Sequence, residues 1–198
     1  LANAAQNREV IRDFISNLER LDAGGRARLK RNAGRTLNQA RDAYQVFFNA
    51  LPRVVTDERI QEDYFLIATL YAVGTHRENP RPTNPPRSLG ASLRQVRLQV
   101  KDANADRQIS LDKRFQALLD ADREQLPFRL GQIVRLLATH QIAIDWRRLL
   151  QHVRSWNAED RWVQLAWARD YYTTTSEQSS ETNDQASVSI QATTSTKE

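Results

Sequence analysis

Among its 198 residues the chain has no cysteine and no methionine. The first absence removes disulfides, thiolate metal sites and a cysteine nucleophile. The second, in a chain that opens at Leu1, places the expected native start upstream. Glycine and proline are scarce, six of each, and four of the prolines crowd into Pro80, Pro82, Pro85 and Pro86. Long hydrophobic runs are missing too. No 18-residue apolar stretch could span a bilayer, and the first twenty residues lack the apolar centre of a signal peptide, so a soluble cytoplasmic protein is expected. The three histidines, His76, His140 and His152, are scattered, without an HExxH pair, a glycine-rich phosphate loop or a G-x-S-x-G elbow. These gaps point to a non-enzyme with no cofactor and no bound metal. His140 and His152 are expected at helix ends or on the surface. Asp57, Glu58, Glu62 and Asp63 could hold a cation, although such a cluster more often complements a helix N-terminus and faces water.

Acid is missing where base is abundant. From Arg20 to Arg41 seven Lys or Arg face one acid, Asp22, and from Arg26 to Arg41 there is none; from Arg77 to Lys101 six cations face Glu78 alone. The formal net charge is +5, but residues 173–198 carry four acids and one Lys, which leaves +8 on residues 1–172. Arg makes up 25 of the 29 basic residues. Its fork matches phosphate oxygens and stacks on bases, a weak signal alone because a GC-rich genome also favours Arg. Unneutralised arginines on a folded surface usually face phosphate.

The rest of the pattern is helical. Val10, Phe14, Leu18 and Leu21 make a stripe that predicts a first helix stopping at Gly24 and Gly25. A short basic helix to about Gly34 follows, then a third through Ala40, Tyr44, Phe47, Phe48 and Leu51, and a fourth capped by Asp57 and ending at Gly74. The prolines favour extended backbone and mark a boundary. Ser88 caps a helix with Leu89, Leu93, Val96 and Val100 on one side and Arg94, Arg97 and Lys101 on a flank expected to stay wet. Further helices are expected after Ser110, after Asp122, after Asp145, and after a capping box of Asn157 and Asp160. No segment alternates with period two. The expected fold is all-α, two small bundles of about eight or nine helices in total. Residues 1–75 form the N-terminal lobe, 76–87 a proline-rich linker loop and 88–172 the C-terminal lobe. Residues 173–198, half Ser and Thr, bury too little to fold and are expected to be a disordered tail. Trp146 and Trp167 fall on apolar stripes and are expected in the core, with Trp162 undecided between core and base stacking.

Six stretches keep the order and spacing of a known family: LERLDAGGRARLKRN (Leu18–Asn32), ATLYA (Ala68–Ala72), RSLGASL (Arg87–Leu93), RFQALLDADREQLPFRLGQIVRLL (Arg114–Leu137), IDWRRLL (Ile144–Leu150) and WARDYY (Trp167–Tyr172). Over residues 10–172 the chain resembles the CasB-type small subunit of the type I-E CRISPR surveillance complex Cascade. The resemblance implies a non-catalytic helical protein of two lobes. In that family two copies lie head to tail between the large subunit and the row of backbone subunits, and they contact guide RNA and target DNA without reading sequence. They also offer a basic path for the displaced strand, which stabilises the R-loop in antiviral defence. The matching basic positions are Arg26, Lys30 and Arg31 after the first helix, and Arg94 after Ser88, Leu89 and Gly90. Ala91 stands where some members carry a basic residue, a contact that Arg87 or Arg94 could supply. With Arg35, Arg97 and Arg114 these form the candidate nucleic-acid-binding set; Lys113, Arg123, Arg147 and Arg148 are weaker candidates. Two other readings stand beside this one, a helix-turn-helix regulator, which the proline-rich insertion fits poorly, and a scaffold whose arginines dock acidic proteins.

Overall fold

The structure, a computed structural model, describes residues 2–74, 86–101 and 105–173. The tail beyond 173 and all of the proline-rich linker except Pro86 and Arg87 lie outside the described residues. Among those described there are nine α-helices and no strand: α1 Ala2–Glu19, α2 Ala23–Arg31, α3 Tyr44–Ala50, α4 Glu58–Gly74, α5 Leu89–Lys101, α6 Ala105–Leu119, α7 Leu126–Thr139, α8 Trp146–Arg154 and α9 Trp162–Tyr172. Two 3-10 turns, Leu37–Gln39 and Arg41–Ala43, lead into α3. The expected third helix therefore begins four residues after Ala40.

Helix α4 organises the rest. Asp57 caps it by accepting from the Ile60 N–H at 3.0 Å, as expected. From Asp63 to Val73 every residue is buried, so no face of this stretch is left for water. It packs against α2, α7 and α8. The buried side chains form one cluster, which takes in Ile11, Phe14 and Leu18 of α1 together with Val163, Trp167 and Tyr171 of α9. Trp146, Trp156 and Trp167 are all core residues, whereas Trp162 is 40% exposed.

Asp145 caps α8, accepting from the Arg148 N–H at 3.0 Å, whereas Asp122, expected to cap α7, instead closes the turn before it by accepting from the N–H of Gln125, the residue at the cap position, at 2.8 Å. Ser88 accepts from the Ala91 N–H and donates to Asp170, which ties the start of α5 to α9. Here the chains come very close. A Cβ on Gly90 would lie 2.1 Å from the Trp167 carbonyl oxygen, so the α5–α9 packing requires hydrogen at this position.

Three further local expectations are corrected. Gly24 and Gly25 do not end α1 but open α2, because the Asp22 carboxylate accepts from the Gly25 N–H at 2.7 Å and a Cβ there would sit 2.9 Å from that oxygen. Ser110 does not precede α6 but lies inside it, since the helix begins at Ala105. The capping box before α9 does not form. Arg161 takes the cap position at φ 48°, a left-handed conformation, and donates through Nη2 to the Leu119 carbonyl at 2.6 Å.

Candidate nucleic-acid interface

The eight candidate cations fall in three places, and their side chains differ in what they already hold. On α2, Arg26 is half-buried and donates through Nε and Nη2 to the Leu21 carbonyl at 3.0 and 2.8 Å, closing the end of α1. Asn32, fully buried just past the helix, donates through Nδ2 to the Arg28 carbonyl and to Asp42 Oδ1, both at 2.9 Å. Asp42 also sits 3.8 Å from the Arg31 guanidinium, and Arg35 donates to Asn32 Oδ1 at 3.4 Å. The acid-free run is therefore partly neutralised by the first acid beyond it, which the turns before α3 swing back against α2. Lys30 and Arg28 are exposed and, among the described residues, hold no hydrogen-bond or ion-pair partner.

On α5 the expected wet flank is not free. Arg97 is half-buried, donates to Asp112 Oδ1 at 3.2 Å and lies 5.4 Å from the centre of the Tyr171 ring. The Tyr171 hydroxyl donates to the same carboxylate oxygen, and burial together with that bond raises the phenol's pKa well above its usual 10. Arg94 is half-buried and also partnered. Arg87 is exposed just before α5; its carbonyl accepts from Arg148 Nη1 at 2.9 Å, while its own guanidinium has no partner among the described residues.

On α6, Arg114 is exposed and lines a groove of about 460 Å³ with Lys113, Ile109 and, from α7, Arg129. The Arg129 guanidinium lies 5.6 Å from the ring of Phe128, which is 61% exposed. Arg129 escaped the sequence reading because it lies outside both basic runs, in a largely apolar helix; only the packing of α7 on α6 sets it beside Lys113 and Arg114.

The other candidates for chemistry are engaged within the fold. Asp57 caps α4, Glu62 accepts from the Leu37 N–H at 3.1 Å, and buried Asp63 is ion-paired with Arg123, whose Nη1 donates to the Val153 carbonyl at 2.8 Å. His152 lies in the last turn of α8, at a helix end as expected, but it is buried there, 7% exposed, rather than at the surface. Its Nδ1 accepts from Trp167 Nε1 at 2.8 Å and its ring packs 5.4 Å from that of Trp162. Burial, aided by the Arg148 charge and opposed by Asp145 and Asp170, lowers its pKa from 6.5 to about 4. His140 lies at the end of α7 as expected, within 3.0 Å of Gln99 Oε1.

Comparison with known proteins places this arrangement. The model of the family described as CRISPR-associated protein Cse2 matches residues 25–172. A curated relative, the CRISPR-associated protein Cse2 of Thermus thermophilus, is 37% identical over 114 residues. That stretch is 57% of this chain and 57% of the relative, so the match spans little more than half of the relative's length. The crystal structure of M. ruber CasB superposes with a TM-score of 0.67 at 31% identity, covering 80% of this chain and 90% of that one. A chain of a CRISPR RNA-guided surveillance complex superposes with a TM-score of 0.66, covering 83% of this chain and 92% of its own. At 22% identity that last likeness is one of fold alone.

Proposed function

The chain belongs to the Cse2 family of CRISPR-associated proteins, and on that footing we propose that it is a non-catalytic small subunit of a Cascade-type surveillance complex. In that role it holds nucleic-acid backbone without reading sequence, and so favours guide RNA–target DNA pairing and retention of the displaced strand. Its partners are the large and backbone subunits and a second copy of itself. The observation that carries this reading is the family match across residues 25–172, which takes in all three groups of candidate cations.

The cations differ in how directly they serve. Lys30, Arg87 and Arg114 are exposed and have no partner among the described residues, so each can take a phosphate without giving up an internal bond. Arg28 joins Lys30 on the same helix. Arg26, Arg31, Arg35 and Arg97 already hold a carbonyl, a carboxylate or an amide, and their remaining N–H groups contribute from a fixed position. A non-catalytic role fits the engagement of Asp57, Asp63 and His152 in a cap, an ion pair and a core hydrogen bond. Specificity then lies in base pairing with the guide, not in this chain.

The test is co-expression of the tagged chain with the other subunits and a guide. Guide RNA and backbone subunits should co-purify with it, and omitting the chain should leave guide loading normal while weakening R-loop formation. A chain that purifies alone, or a complex indifferent to its omission, overturns the proposal.

A further inference from the structure

We propose that a cleft on another side of α4 is a phosphate-binding site. The cleft, about 510 Å³, opens between the first residues of α1, the start of α4 and the end of α8. That volume falls within the roughly 300–1,000 Å³ of small-ligand sites. Three arginines from three different segments line it: Arg59 in the first turn of α4, Arg123 before α7 and Arg154 at the end of α8. None of the three belongs to either of the two basic runs in the sequence.

Two carboxylates also line the cleft, and their engagement decides its character. Asp57 accepts from the Ile60 N–H at the α4 cap, and Asp63 is ion-paired with Arg123. Arg123 is thus occupied. Arg59 is exposed and has no partner among the described residues, and Arg154 makes one hydrogen bond, through Nη1 to Asn7 Oδ1. Asp57 keeps its charge at the cap, so the three arginines and two carboxylates lining the cleft leave a balance of +1, with the Arg59 and Arg154 guanidinium groups available to a ligand from separate helices and Ser155 also in the lining. Planar carboxylate is satisfied by one guanidinium fork, whereas a tetrahedral phosphate presents oxygens in several directions at once, as donors arriving from α4 and α8 require.

The phosphate can come from a nucleic-acid strand or from a free nucleotide. Thermal unfolding of the full chain should be followed with inorganic phosphate, adenosine monophosphate, oligothymidylate and oligoglutamate, each against chloride at equal ionic strength. Inorganic phosphate should raise Tm by about 5 °C at a hundredfold excess over its Kd. Arg59→Gln removes an exposed, unpartnered cation and should abolish the rise with the fold intact. Arg154→Gln should do the same, whereas Asn7→Ala, which loses the same hydrogen bond but keeps the charge, should retain it. Tighter binding of oligothymidylate than of adenosine monophosphate assigns the site to a strand and the reverse order to a free nucleotide; both uphold the inference. No rise with phosphate, an equal rise in R59Q, or an equal rise with oligoglutamate overturns it. Lys30→Ala should leave the response unchanged, so failure here is distinct from failure of the nucleic-acid role of α2.

Discussion

His152 makes the stability of this protein depend on pH in a way that can be worked out in advance. In the unfolded chain its imidazole titrates at the ordinary 6.5; in the fold burial holds it at about 4, with Nδ1 accepting from Trp167 rather than carrying a proton. The unfolded state therefore binds the proton more tightly. The contribution of this group is fully present above pH 6.5 and is lost progressively as the pH falls toward the folded value near 4. Linkage over these two values gives a loss of about 1.8 kcal/mol between about pH 7 and pH 5, and about 3.4 kcal/mol once both states are protonated. Urea unfolding followed by tryptophan fluorescence, with Trp167 buried beside the ring and Trp156 packed on Trp167, should record this slope. His152→Gln keeps an acceptor for the Trp167 N–H but cannot titrate. The difference between wild type and variant should thus narrow by about 1.8 kcal/mol over that interval, while carboxylate effects common to both cancel. Parallel profiles, or a His152 resonance titrating near 6.5, would refute the reasoning.

Other outcomes follow from single contacts. Lys30→Ala and Arg28→Ala should each weaken binding to DNA of unrelated sequence and flatten the plot of log affinity against log salt by about 0.7–0.9, with circular dichroism unchanged; an unaltered slope would take phosphate away from α2. Arg26→Ala should instead lower stability by about 1–2 kcal/mol, because two hydrogen bonds to the Leu21 carbonyl are lost, and denaturant titration would detect it. Gly90→Ala should cost at least about 3 kcal/mol, since the new methyl meets the backbone of Trp167 rather than a movable side chain; a Tm within a degree of wild type would show that α5 and α9 can part cheaply. Asp63→Asn leaves the partly exposed Arg123 without its counter-charge and should cost about 1–3 kcal/mol by the same measurement, without altering nucleic-acid affinity.

The helices and their caps could be read from the sequence because the signals are local. Asp57, Ser88 and Asp145 each cap through an amide three residues on, a spacing visible in the chain. The start of α9, misread at Asn157, depends on the contact of Arg161 with the distant Leu119 carbonyl, which spacing does not record, whereas the Asp22 cap of α2 is local and was hidden because the glycine pair beside it read as a stop. The basic surface was legible as an excess of charge but not as a set of available side chains. Arg97 read as solvated because its position lies off the apolar stripe, yet Asp112 and Tyr171 reach it from α6 and α9. His152 read as helix-end or surface because no partner for it was visible in the sequence: its ring contacts are with Trp162 and Trp167, which approach from another helix.

The enclosure of α4 bears on how this protein can move. The stretch of α4 from Asp63 to Val73, buried on every side in a helix packed against α2, α7 and α8, cannot be released by one half of the chain without exposing apolar surface that the other half also covers. Loss of either half should therefore propagate through the whole chain in a single cooperative transition rather than in two melting steps. Within a larger assembly, such a body turns or shifts as one piece. Any rearrangement that accompanies strand binding would then fall at its boundaries with neighbouring subunits, where the contacts are easier to exchange than the packing inside.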